Sequence, residues 1–146
     1  MRWVLPLIAL FISSCGNDET LRVRQFHLQS TVPASGHPFI RAEMNKRLHG
    51  AVTLEERNLR RGNFYHLRWQ GLSGVKPVKV VFEFRQARTG GKVTKRVFQA
   101  GPSRKGEFEI SVMGREYLKH GHVQSWRVRL YDGDKQVASK QSYLWE

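Results

Sequence analysis

Past residue 60 apolar and polar residues alternate along most of the chain, with the period of two that a half-buried strand requires. Residues 63 to 69 (N-F-Y-H-L-R-W) set Tyr65, Leu67 and Trp69 on one face and Phe64, His66 and Arg68 on the other. Residues 78 to 85 set Val78, Val80, Phe82 and Phe84 inside, with Lys79, Glu83 and Arg85 toward water. Thr89-Gly90-Gly91-Lys92 predicts a tight turn into a strand over 93 to 99. Further on, Phe108, Ile110 and Val112 alternate over 107 to 112. Trp126, Val128 and Leu130 do the same over 124 to 131, leaving Arg127 and Arg129 outward. Asp132-Gly133 is a hairpin signal leading into a last strand over 136 to 145. Nearer the start, residues 21 to 29 alternate as a first strand, and residues 30 to 37, with Pro, Gly and Ser, read as a loop.

One segment departs from this period. Ile40, Met44 and Leu48 recur at a spacing of four behind Pro38, with Gly50 as the stop, which predicts one short amphipathic helix over 38 to 48. Its apolar stripe suits docking on a sheet. The competing reading lays the helix on anionic lipid through Arg41, Lys46 and Arg47. Residues 113 to 121 read as a crossover with a helical turn around Tyr117 and Leu118. About seven or eight strands, regularly spaced with turn residues between them, predict an all-β antiparallel sandwich of immunoglobulin or fibronectin type III-like arrangement. The Cys–Trp–Cys signature of antibody domains is absent, and a small barrel is the alternative.

The first fifteen residues follow a different logic. Met1 and Arg2 precede the apolar run W-V-L-P-L-I-A-L-F-I, then Ser13, Ser14 and Cys15, the single cysteine of the chain. A membrane-spanning helix needs about 20 apolar residues, so the run predicts an export signal. Ile12-Ser13-Ser14-Cys15 resembles the bacterial lipobox, an aliphatic residue and two small ones before a cysteine. The resemblance implies diacylglyceryl attachment to Cys15, cleavage before it and N-acylation of the new terminus, a pairing of chains that anchors stably. It divides the chain into a removed signal peptide at 1–14, a tether with lipidated Cys15 at 15–20, and one sandwich domain at 21–146. Gly16-Asn17 lacks the Asp that marks inner-membrane retention in enteric bacteria, which implies the outer membrane. An ordinary signal peptide cut near Ser14, leaving a free thiol, is the other reading. The stretches R-L-H-G-A-V at 47 to 52 and S-Y-L-W at 142 to 145 resemble segments of bacterial envelope lipoproteins, and that likeness implies no activity.

Composition adds a charge. The chain of 146 residues has 25 Lys+Arg against 12 Asp+Glu, a formal +13, which favours nucleic acid, anionic lipid or acidic glycans as neighbours. One cysteine excludes an internal disulfide framework and multi-cysteine zinc sites. His120-Gly121-His122 is a pair that could touch a metal on a turn, but it lacks H-E-x-x-H spacing or a cysteine cluster. Gly71-Leu72-Ser73-Gly74 is not the G-x-S-x-G elbow, and Arg88-Thr89-Gly90-Gly91-Lys92 lacks P-loop spacing. Glu55-Glu56 and Glu107/Glu109 have no partner that suggests a cleft. No catalytic residue, metal site or cofactor is assigned.

Sandwich topology makes 63–69 and 107–112 neighbours in one sheet and 78–85 and 124–131 neighbours in the other. On the first sheet His66 and Arg68 then lie beside Glu107 and Glu109, and the charges cancel. On the second, Lys79, Arg85, Arg127 and Arg129 face only Glu83, and the basic surface extends over Arg88, Lys92, Lys95 and Arg96 of the following hairpin. Three functions follow. The first is a lipid-anchored envelope accessory or adaptor acting through protein–protein contacts with an envelope partner. The second is a module for acidic polysaccharide or extracellular nucleic acid bound on the basic face. The third is a metal-dependent enzyme through His120 and His122.

Overall fold

The computed structural model describes residues 19 to 29 and 37 to 146. Within it, residues that alternate in sequence also alternate in burial. Seven strands form: β1 (Leu21–Leu28), β2 (Gly62–Trp69), β3 (Pro77–Gln86), β4 (Thr94–Pro102), β5 (Gly106–Met113), β6 (Val123–Asp132) and β7 (Lys135–Gln141). They make two sheets, ordered β1-β2-β5 and β4-β3-β6-β7, with every pairing antiparallel. The expected all-β sandwich is therefore present, with seven strands and the predicted β2–β5 and β3–β6 neighbours. The signal segment, Cys15 and the tether through residue 18 lie outside the described residues, as does the loop at 30–36.

The inward residues interlock between the sheets. Tyr65, Leu67 and Trp69 of β2 and Ile110 and Val112 of β5 meet Val78, Val80, Phe82 and Phe84 of β3 and Trp126, Val128 and Leu130 of β6. Tyr65 packs at 4.9 Å from the Phe82 ring and 5.4 Å from Trp126, and Phe82 stacks on Phe84 at 5.0 Å. Burying each such side chain stabilises by about 1.5–3 kcal/mol. Trp69 lies across its cross-strand partner Gly106. A Cβ at Gly106 would fall 2.8 Å from Trp69 Cε2 and 2.9 Å from Cη2, and closer still to Cζ2, so only glycine leaves room for the indole.

Three short helices flank the sandwich: the expected α1, a helix at the expected turn around Tyr117, and one that was not expected. The helix α1 (Pro38–Leu48) sets Met44 and Leu48 against Leu28, Phe26 and Phe64 on the outer face of the first sheet. Ile40 does not join them and stays exposed beside Phe39. Arg47 packs beneath the helix, its side chain only 11% exposed. Its guanidinium sits 3.8 Å from the Phe64 centroid and 5.5 Å from Phe26, and bridges Glu43 and Glu109. The helix α2 (Leu54–Leu59) is too short to show a hydrophobic repeat and rests on a capping box, with Thr53 Oγ1 accepting from Glu56 N and Glu56 Oε2 from Thr53 N. The helix α3 (Gly114–His120) realises the expected turn around Tyr117 and buries that ring.

The last strand stops at Gln141 rather than running to Trp145. Ser142 ends it, its N–H donating to Trp126 O and its Oγ accepting from Trp126 N, both at 2.9 Å. Trp145 N then donates to Ser142 O, and this turn carries the terminal indole back onto the second sheet.

Candidate functional site

The outer face of β4-β3-β6-β7 gathers most of the residues singled out from the sequence. Register places Glu83 between Lys95 and Arg127, Val81 between Val97 and Arg129, and Lys79 between Gln99 and Tyr131. Glu83 is the hub. Its Oε2 accepts from Arg127 Nε and its Oε1 from Arg129 Nη2, each at 2.9 Å, and its side chain is only 11% exposed. A second set of contacts orders the remaining cations. Trp145 lies under two guanidiniums, Arg85 at 4.4 Å and Arg127 at 5.0 Å from the ring centroid. Lys79 Nζ sits 4.7 Å over the Tyr131 ring. Such cation–π contacts stabilise by about 0.5–2 kcal/mol each, more as water is excluded.

Lys79, Arg85, Lys95, Arg127 and Arg129 thus share one face, as expected, and Lys92 is exposed in the turn that follows β3. Arg96 and Arg88 do not. Lys95 and Arg96 are consecutive, so pleating sends one of them inward, and Arg96 pairs across Phe82, an inward position. There it reaches over the open side of the sandwich, 5.2 Å from the Phe84 centroid, donates to Ser111 O at 2.7 Å and pairs with Glu116. Arg88 Nη1 donates to Leu118 O at 2.9 Å and ties the hairpin turn to α3. Both act as braces between elements. Tyr131 and Trp145 complete the face: the terminal aromatic packs onto the sandwich beneath Arg85 and Arg127, and Tyr131 lies beneath Lys79.

On the opposite sheet His66 and Arg68 neighbour Glu107 and Glu109 as predicted, but the charges do not cancel, because β1 adds exposed Arg22 across from Arg68 and exposed Arg24 across from His66. Arg68 Nη2 meets Glu107 at 2.9 Å, with His66 also within 3.5 Å, and Arg47 grips Glu109 through both terminal nitrogens. The neighbouring guanidiniums hold Glu107 and Glu109 below the ordinary carboxylate range.

The histidine pair is divided between two tasks. His122 joins His27, ring centroids 5.9 Å apart, and His27 Nε2 is 2.7 Å from the Tyr117 hydroxyl, with Arg61 over the Tyr117 ring. His120 instead offers its backbone carbonyl to Arg88 N. Among the described residues no three of His, Cys, Asp and Glu gather as a metal site needs. Burial, then His122 and Arg61, push the His27 ring below its ordinary value of 6.5. A depressed folded value means that this group's contribution is complete above the unfolded value and is lost as pH falls. Thermal melts should therefore drop between pH 7 and 5, before the carboxylates titrate. His27→Gln should flatten that interval, and an unchanged slope in the variant would show that another group is responsible.

No protein-family model, curated protein or solved structure matches this chain.

Proposed function

We propose that the protein is a lipid-anchored accessory or adaptor of the bacterial cell envelope, held through Cys15 and favouring the outer membrane, which acts by binding an acidic-surfaced envelope protein. The observation that carries the partner assignment is the fixed array on the second sheet. Arg85, Arg127 and Arg129 are already oriented by Glu83 and Trp145, and Lys79 by Tyr131. Pre-oriented Arg, Trp and Tyr are the residue types that dominate protein–protein hot spots, because little side-chain entropy is lost on contact. The anchor is supported by the resemblance of Ile12-Ser13-Ser14-Cys15 to a lipobox.

A second reading, a module for acidic polysaccharide or nucleic acid, draws on the same surplus of Lys79, Arg85, Lys95, Arg127 and Arg129 over Glu83. Crosslinking in intact cells separates the two. Lys79→Glu with Lys95→Glu leaves the Glu83 bridges in place and should cut recovery of the wild-type partner at least about tenfold, while Lys46→Glu on the exposed side of α1 leaves it unchanged. Equal recovery from both variants would sink the adaptor reading. Retention on a heparin column, falling linearly with log salt and lost in the double variant, would favour the polyanion instead.

A further inference from the structure

Three loops at one end of the sandwich are hydrogen-bonded into a single cap. The loop after β2 donates from Leu72 N to Arg104 O, in the loop after β4, at 3.1 Å. It also reaches the turn after β6, where Asp132 accepts from Ser73 N at 2.8 Å and from Ser73 Oγ at 2.9 Å. Gly133 N donates back to Pro77 O at 2.9 Å, and Leu72 plugs the core beneath. The cap is therefore a rigid platform.

Its outer surface is basic. Lys76, Arg104, Lys105 and Lys135 are all exposed, and none of their side chains is within ion-pair or hydrogen-bond distance of a partner among the described residues. Two nearby acids are paired elsewhere: Glu19 with Lys140 and Arg22, and Glu107 with Arg68 and His66. Asp132, which acts on Lys76 and Lys135 through space, and Asp134 remain beside the four cations, so the cap keeps a basic surplus. Val75, 78% exposed, stands at the tip of the first loop. A cleft of about 620 Å³ opens at the same end, lined by Lys76, Lys79, Gln99 and Lys135.

The chain also enters the fold at this end, since Leu21 pairs with Trp69. Four peptide units separate Cys15 from Glu19, and an extended chain covers at most about 3.6 Å per residue, or about 14 Å in all. A lipidated Cys15 would thus keep Glu19, at this end of the sandwich, within about 14 Å of the anchored residue, close enough for the cap to reach the headgroups.

From this juxtaposition we propose that the cap docks on anionic phospholipid, with Lys76, Arg104, Lys105 and Lys135 on the headgroup phosphates and Val75 at the headgroup level. The inference rests on the lipid anchor proposed above and adds an orientation to it: cap against the membrane, the β3–β4 turn with Lys92 pointing away. A cation that docks within the Debye length of about 8 Å of an anionic surface contributes about fivefold in binding.

The test is amine labelling of the acylated full chain in vesicles with about 30% anionic lipid or with neutral lipid only. Lys76, Lys105 and Lys135 should react at least about fivefold more slowly on the anionic vesicles, with the difference lost near 0.5 M salt and Lys92 unaffected. Val75→Asp with Arg104→Glu should abolish most of that protection while leaving the melting temperature unchanged. Equal rates on both vesicles, or protection of Lys92 instead, overturns the docking. The intact mass of the envelope-extracted chain reads the anchor separately. If Cys15 carries no acyl chains the anchor reading fails, and the same labelling with protein added from solution still decides the docking.

Discussion

Replacing Glu83 by Gln should lower stability by about 3 kcal/mol, near 10 °C in melting temperature for a domain of this size. The carboxylate sits between Arg127 and Arg129 with little exposure, so its loss leaves two half-buried guanidiniums side by side. Removing one partner of such a cluster costs more than the cluster contributes, because the remaining like charges stay partly desolvated. Two further measurements identify the mechanism. Added salt should recover part of the loss by screening the like charges, and Arg127→Gln in the same chain should recover more than it costs alone. A melting temperature within about 1 °C of wild type would mean that water already shields the pair. The same variant should weaken capture of the partner, since the face loses the group that holds its arginines in place.

A loss of similar size is expected from Gly106→Ala. The Trp69 indole occupies the space a methyl would need, and it is buried against Phe108, ring centroids 6.0 Å apart. The ring cannot swing outward without opening the core, so overpacking should cost about 3 kcal/mol. Trp69→Leu alone leaves a cavity and costs about 2 kcal/mol or more. Combined with Gly106→Ala it should cost less than the sum, because the methyl then has room. Strict additivity of the two in chemical denaturation would show that the indole does not set the tolerance at 106.

The strand pattern was legible because most core strands are buried on one side, so period two reports the inward face directly. It even located partners: His66 and Arg68 beside Glu107 and Glu109 follow from topology and parity alone. Parity failed where cations occupy both faces. Lys95-Arg96 must send one charge inward, and which one depends on the register of β4 against β3, fixed by contacts that the local sequence does not encode. Arg47 is a similar case, since a guanidinium beneath a helix looks like any other basic residue of its exposed side until Glu109 and Phe64 appear under it. The sequence S-Y-L-W alternates as a strand would, and only the Ser142–Trp126 hydrogen bonds show why pairing ends there. The capping box of α2 was readable at Thr53 and Glu56, a local signal that hydrophobic periodicity passes over.

The order of strands bears on when the fold can form. β1 must wait for β2, β2 for β5 and β3 for β6, and Gln25 finds its donor, Trp126 Nε1, only after a separation of 101 residues. A chain emerging from its amino end would therefore display half-built sheets with open hydrogen-bonding edges until β6 is made. Architectures so rich in distant contacts assemble over milliseconds to seconds, long enough for a chaperone to engage the exposed edges before the sandwich shuts.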